Sequence, residues 1–350
     1  MGKNIYKNGG IMLVKDDNFN MLAVRLIAVA TAFLILAGCS KKKTLELDMQ
    51  ELKADTIWSG EVHIKGDIYV PPGVVLTITP GTVVKFDRYD ATREDFDHSI
   101  KRNMFDIDSP YYPQAEIIIR GTLIARGTKD NKIVFTSAEV DARAADWGAL
   151  NFLGSSGNII EHVKIFCGYN GIHAHGSAID IKHSEFARNG VGISFKAEEE
   201  TPEVPWFGKR SQLTIVDCIF TRNKGGIGFR NSDAVIRHNE IVNNKFFGLW
   251  PKENCKAIIE YNEIADNKKG VFLYQAKGVE LHHNNIYDSG SYNISVAEAQ
   301  DFPFDATNNW FGTINKEKID EMIFDKKDDE SLAEIKIEPF LVGPVDWELK

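Results

Sequence analysis

Six side chains share two positions of one repeated phrase, and together they could bind sugar. Trp250, Phe272 and Tyr274 offer flat aromatic faces, while Lys196, Arg230 and Lys252 offer fixed cations. Aromatic faces suit sugar rings, and cations suit uronate or sulfate groups. The phrase is Gly-apolar-x-apolar-x, seen as Gly192-Ile193-Ser194-Phe195-Lys196, as Gly226-Ile227-Gly228-Phe229-Arg230 and as Gly248-Leu249-Trp250-Pro251-Lys252. Successive side chains of a strand face opposite sides, so the second and fourth residues enter a core and the third and fifth face outward. One outward column then reads His173, Ser194, Gly228, Trp250, Phe272, Ser295, and the other His175, Lys196, Arg230, Lys252, Tyr274, Ala297. The expected site is a glycan groove: an aromatic patch of Trp250, Phe272 and Tyr274 beside a cationic stripe of Lys196, Arg230 and Lys252. Trp206 and Phe207, in an insert, would form one wall. The competing reading is an exposed sheet face whose ladder residues only support strand pairing.

The elements that position these residues form a repeat. Ile165, Phe186, Phe220, Ile241, Ile264 and Ile286 mark one anchor position, with successive gaps of 21, 34, 21, 23 and 22 residues. An insert, roughly Glu199 to Arg210, accounts for the long gap. A period in the low twenties marks a solenoid, in which each unit buries its apolar face by stacking on its neighbours. Five residues before each anchor stand Ile160, Ile181, Ile215, Ile236, Ile259 and Leu281, and seven before stand Ile179, Leu213, Ala234, Ala257 and Val279. This alternation has period two, so the units are strands with one face inward. Asn189, Asn223, Asn244 and Asn267, followed by Ser289, form a corner column; Asn239, Asn262 and Asn284 form another. Asn tolerates left-handed corners, and stacked amides can hydrogen-bond along a ladder.

These repeats resemble the right-handed parallel β-helix proteins, built like pectate lyases. The likeness extends to Val62–Phe86, to Ile117–Ser137 with Asp146-Trp147-Gly148, and to a closing motif at Ala306–Thr313 with a last strand at Pro339-Phe340-Leu341. It implies an all-β fold: one right-handed parallel β-helix over residues 55–313 and a capping segment over 314–350. Inserts interrupt it near 87–113 and 199–210. The charged stretch from Lys316 to Phe324 reads as a short amphipathic helix within the cap. The resemblance specifies shape and leaves activity open.

The same resemblance suggests how a catalytic site would be built. Lyases of this architecture often take Lys or Arg as the base of a β-elimination, which here points to Arg230 or Lys252. Glu198 to Glu200, Asp233 and Glu253 could supply oxygen ligands for calcium. No paired Asp cluster supports this, and the outward columns hold no carboxylates, so a polysaccharide lyase stands second to a non-catalytic binder. A structural scaffold for a protein partner stands third. No catalytic residue is assigned and no cofactor is expected, calcium being the one alternative. The insert from Asp87 to Gln114, with Asp106-Ile107-Asp108, invites calcium but lacks the spacing of a binding loop. His173 and His175 could chelate a metal between them, yet the sequence offers no third ligand, so they read as two solvent-facing histidines and no metal site is assigned. His162 and His183 lie on the same early coils, and His282-His283 straddles both faces.

The N-terminus carries an address. Leu22 to Leu36 is apolar except for Arg25 and Thr31 and runs into Leu36-Ala37-Gly38-Cys39-Ser40. That string reads as a bacterial lipobox, with residues 1–38 a signal peptide, Cys39 the lipidated residue and 39–54 the lipidated Cys and tether. About fifteen residues with an internal Arg are short for a membrane span. Residues 1–20 are too polar for a leader, which moves the expected start to Met12 or Met21. The expected partner is thus a membrane, reached through lipid, in the bacterial envelope; Ser40 after the Cys points to the outer membrane. Removing residues 1–38 takes away Lys3, Lys7, Lys15 and Arg25 with Asp16 and Asp17, leaving 37 basic against 48 acidic side chains and a charge of −11. So acidic a chain has no global footprint for nucleic acid. Cys167, Cys218 and Cys255 occupy different repeat positions, which argues against a disulfide framework and for small core or corner fillers.

Overall fold

A computed structural model describes residues 44–88, 114–196, 208–297 and 299–348, with only the backbone at Lys196. Among these, the chain winds repeatedly through three parallel sheets, always in the order third, first, second. The first sheet has ten strands, from Leu45–Leu47 to Asn285–Tyr287; the second has eleven, from Gln50–Glu51 to Ile323–Phe324; the third has nine, from Thr56–Trp58 to Val279–Leu281. The fold is a right-handed parallel β-helix. Strands Leu45–Leu47 and Gln50–Glu51 already pair with the next coil, so the helix begins before the boundary at 55 read from the sequence.

The anchor residues pair in register along the first sheet, Ile165 with Phe186, Phe186 with Phe220, then Ile241, Ile264 and Ile286. The column from Ile160 to Leu281 does the same in the third sheet. Strand Ala178–Lys182 pairs directly with Ser211–Val216, so the second insert leaves the stack undisturbed. Equivalent rings meet coil on coil: Phe186 and Phe220 at 4.8 Å, Phe195 and Phe229 at 4.9 Å. The spacing is that of neighbouring strands, so one residue type repeated in sequence becomes a stack in space. Glycine opens the repeated phrase because the coils approach there: a Cβ on Gly226 would lie 2.3 Å from the Gly248 carbonyl oxygen.

Both Asn columns form the expected ladders. Asn189 Nδ2 donates to Asn223 Oδ1, Asn223 to Asn244 and Asn244 to Asn267, at 3.0–3.1 Å. Asn239, Asn262 and Asn284 repeat the pattern at 2.9–3.1 Å, and Asn309 of the closing motif extends it. Each amide also donates to a backbone carbonyl one coil back, Asn189 to Ile165 O and Asn244 to Phe220 O among them, so the buried corners keep their polar groups paired. The three cysteines are buried and free, filling core and corner positions.

The expected helix from Lys316 to Phe324 is shorter than read. Helix α1 spans Lys316–Glu321, capped by the Asn315 side chain, which accepts from Lys318 N. Ile323–Phe324 leaves it to pair with Tyr292–Val296 as the last strand of the second sheet. An open sheet edge competes for these two residues and wins, because its unpaired backbone groups need partners.

Candidate functional site

The second sheet carries the expected outward columns. Ser194 pairs with Gly228, Gly228 with Trp250, and Phe272 with Ser295. Trp250 and Phe272 stack at 5.2 Å. Phe246 and Phe247, which the sequence reading passed over, complete the cluster edge-on to Trp250, at 6.0 and 5.2 Å. Phe246, Phe247 and Trp250 wall a hollow of about 440 Å³ that also takes in Tyr169, Ser194 and Arg230. Tyr274 stands apart, lining a neighbouring hollow with Lys269 and Phe272.

Two of the three predicted cations, Arg230 and Lys252, are engaged by neighbouring side chains. Arg230 Nη1 lies 3.6 Å from Glu253 Oε1. Lys252 Nζ sits 3.9 Å above the Trp250 ring, and Lys269 Nζ, absent from the sequence reading, sits 3.9 Å above Phe272. Burial, helped by the charge of Lys268, lowers the Lys269 pKa. Lys196 lies on the strand paired with His175, and its side chain is outside the described residues. Trp206, Phe207, Glu198 to Glu200, the Asp106-Ile107-Asp108 segment and Cys39 also lie outside them. Of the other carboxylates read for calcium, Asp233 accepts from Arg210 at 2.6 Å, Glu253 faces Arg230, and Asp87 meets His63 at 2.5 Å. The Trp250 indole nitrogen is buried and has no hydrogen-bond partner among the described residues. Leaving such a donor unmade costs about 1–3 kcal/mol.

His173 and His175 are not solvent-facing. Each is 2% exposed, within a polar row on the outer side of the second sheet. Asn151 Nδ2 donates to Glu116 Oε2 at 3.1 Å; His173 Nδ1 lies 3.1 Å from Asn151 Oδ1; His175 Nε2 lies 3.0 Å from His173 Nε2. With Nδ1 donating to the amide oxygen, neutral His173 keeps Nε2 as an acceptor, and His175 donates to it. Outward orientation in a strand does not guarantee water, and register alone cannot reveal what covers a face.

Another histidine group lies at the corner between the third and first sheets. His162 and His183 both take positive φ, 51° and 49°, and their rings stack at 4.8 Å. Glu161, His162 and His183 each bring a donor atom within 4.8 Å of the others, all three side chains being half-buried. Asp217 occupies the same corner one coil on, its Oδ2 3.8 Å from His183 Nδ1. His238, Tyr261 and His283 continue the column, again at positive φ and with stacked rings. A more open hollow of about 710 Å³ runs along the third sheet, where Asp180, Thr214, Val235, Ile258 and Glu280 stack without an aromatic ring.

Among solved structures, a mutant of the periplasmic alginate epimerase AlgG is similar at 13% identity, covering 83% of this chain and 75% of that one with a TM-score of 0.43. A second mutant of the same epimerase matches at 14% identity over 82% and 74%, with a TM-score of 0.36, and the epimerase itself at 14% over 80% and 74%, with a TM-score of 0.35. No curated protein matches the chain. The family model described as periplasmic copper-binding protein (NosD) matches residues 123–322, more than half of the chain, and the chain belongs to that family.

Proposed function

We propose that this protein is a lipid-anchored rod of the bacterial envelope that binds polysaccharide along the outer face of its second sheet, without catalysing a reaction on it. The observation that carries the reading is the aromatic hollow at Trp250: four clustered rings, two ammonium groups poised on ring faces, and an indole N–H without a partner among the described residues. Stacking a sugar on Trp250 requires Lys252 to swing off the ring. A partly exposed cation–π contact is worth about 0.5–2 kcal/mol, small enough for binding to displace. The released ammonium then stands beside the ring, where a uronate carboxylate would meet it. Arg230, one of the two candidate bases lining the hollow, is ion-paired with Glu253, which favours binding over elimination.

The anchor follows from the lipobox at Cys39, and the NosD description as periplasmic supports an envelope setting. The decisive test is binding of purified protein to a panel of acidic and neutral polysaccharides, with Trp250→Ala alongside. Saturable binding that weakens at least tenfold in Trp250→Ala supports the reading. Binding by both proteins alike, or by neither, refutes it, and unsaturated uronate products would replace it with a lyase. Loss of acyl-chain labelling in Cys39→Ser tests the anchor.

The family's description supplies a second reading, that the protein binds copper. Imidazole donors suit copper, and one corner of the coil carries a donor set of that kind.

A further inference from the structure

We propose that Glu161, His162 and His183 form a single site for a divalent, imidazole-preferring metal ion, copper or zinc in class, at the corner between the third and first sheets. The assignment deepens the copper reading by giving it an address, and it rests on the donor set and on the backbone that presents it.

Two histidines one coil apart cannot drift, because their corners are pinned. His162 N donates to Lys182 O at 3.2 Å and His183 N to Val216 O at 3.2 Å, with both residues in the left-handed conformation. Glu161 ends the strand Asn158–Glu161 and pairs with Lys182 in register, so its carboxylate starts from a fixed base on the same side. A four-coordinate zinc site with metal–nitrogen bonds of about 2.0–2.1 Å sets donor atoms roughly 3.3 Å apart. The donors here lie within 4.8 Å of one another, so a convergence of about 1.5 Å closes the set. Rotation about the side-chain torsions can supply this, since His183 and Glu161 are each 29% exposed at the side chain. Two imidazoles and one carboxylate are the donors that copper and zinc favour over magnesium and calcium.

The surroundings prepare the ligands. Asp217 Oδ2 lies 3.8 Å from His183 Nδ1, outside hydrogen-bond distance but close enough to become the carboxylate partner that a metal-bound histidine usually has. Arg126 holds Glu161 at 3.0 Å, which orients one carboxylate oxygen but opposes a cation; Lys129 and Lys132 act on His162 in the same sense. These charges weaken the site without removing its donors. Three protein ligands leave the fourth position for water or an incoming group. The corner column beyond Asp217 carries His238, Tyr261 and His283, a run that brings no second carboxylate–histidine pair of this kind together among the described residues.

The test uses untagged, full-length protein titrated with Cu²⁺ and separately with Zn²⁺ by calorimetry, with the Cu²⁺ complex read by electron paramagnetic resonance. The expected result is one ion per chain, with hyperfine structure from two imidazole nitrogens. His162→Asn and His183→Asn should each lower affinity at least tenfold and remove one nitrogen from the spectrum; Asn is chosen because it tolerates a left-handed corner. Asp217→Asn should cost about tenfold, as outer partners do, while His238→Asn and His283→Asn leave affinity unchanged. Circular dichroism and melting of the metal-free variants exclude unfolding as the cause. One-to-one binding that persists in the His162→Asn, His183→Asn double variant overturns this address and leaves the copper reading standing. No binding by the unsubstituted protein overturns both.

Discussion

Replacing Asn244 with alanine should destabilise the protein by about 4 kcal/mol, although the residue lies far from any proposed ligand. Asn244 is 1% exposed and sits in the middle of the longer-range corner ladder. Its Oδ1 accepts from Asn223 N and from Asn223 Nδ2, each at 3.1 Å. Its Nδ2 donates to Phe220 O at 3.0 Å and to Asn267 Oδ1 at 3.0 Å. Truncation takes a partner from the Asn223 backbone N–H and the Phe220 carbonyl, which carry most of the loss, and a longer 3.3 Å bond from the Val242 carbonyl. Asn223 Nδ2 keeps Phe186 O, and Asn267 Oδ1 keeps the Asn244 backbone N–H. Each buried orphan costs about 1–3 kcal/mol, so the sum lies in the range of about 2–6 kcal/mol, large beside a typical total stability of about 5–15 kcal/mol. Urea unfolding followed by circular dichroism and tryptophan fluorescence gives the measurement. Because a solenoid is held by nearest-neighbour contacts, the two probes should separate in the variant, the coils around Asn244 melting first. Asn244→Asp preserves size and both acceptor bonds but buries a carboxylate, so its deficit against the unsubstituted protein should shrink on acidification as that group protonates. A loss below about 1 kcal/mol in Asn244→Ala would refute the claim that the ladder holds the coils together, since it would mean that the orphaned groups find other partners at no cost.

Three further outcomes follow from local chemistry. Lys252→Ala should weaken binding of acidic polysaccharide several-fold while leaving neutral chains unaffected or improved, because the ammonium both covers the Trp250 ring and supplies charge; equal effects on both classes would show that charge plays no part. Cys167, Cys218 and Cys255 should resist a thiol reagent in the native protein near pH 8 and react fully in denaturant, because burial raises all three thiols, Cys218 to about 12 and Cys255 to about 11; rapid native labelling would refute this. Glu240→Gln should stabilise the protein at neutral pH. Burial, then the charge of Glu263, raises the Glu240 pKa in the folded state, so its stabilising share is complete below the ordinary carboxyl value and is lost as pH rises through the folded value. The advantage of the amide should therefore vanish near pH 4, and a constant advantage across pH would point to another cause.

Residue type was readable where one physical demand repeats in every coil. The anchor column, the paired aliphatic columns and both Asn ladders each answer one such demand, an apolar core or a left-handed corner with an amide in reach, so the same letters recur at the same distance. Trp250 and Phe272 were legible for the same reason, since the third residue of the phrase is fixed by the strand's period. Phe246 and Phe247 were missed because they precede the glycine of the repeated phrase, Phe246 just before the strand and Phe247 as its first residue. The burial of His173 and His175 was missed because alternation reports direction and carries no information on what packs against the outer side. The corner that holds His162 and His183 is the instructive case. It stands three residues before every anchor, as His162, His183, Asp217, His238, Tyr261 and His283, and its members share a positive φ rather than a side-chain class. A search for repeated apolar or amide letters passes over such a column, yet the backbone fixes its spacing as firmly as any core position. In a solenoid the outward corner is free of packing demands, so the residues found there vary with what the surface does. The variable column beside the invariant ones is therefore the place where this chain's individual chemistry should be sought.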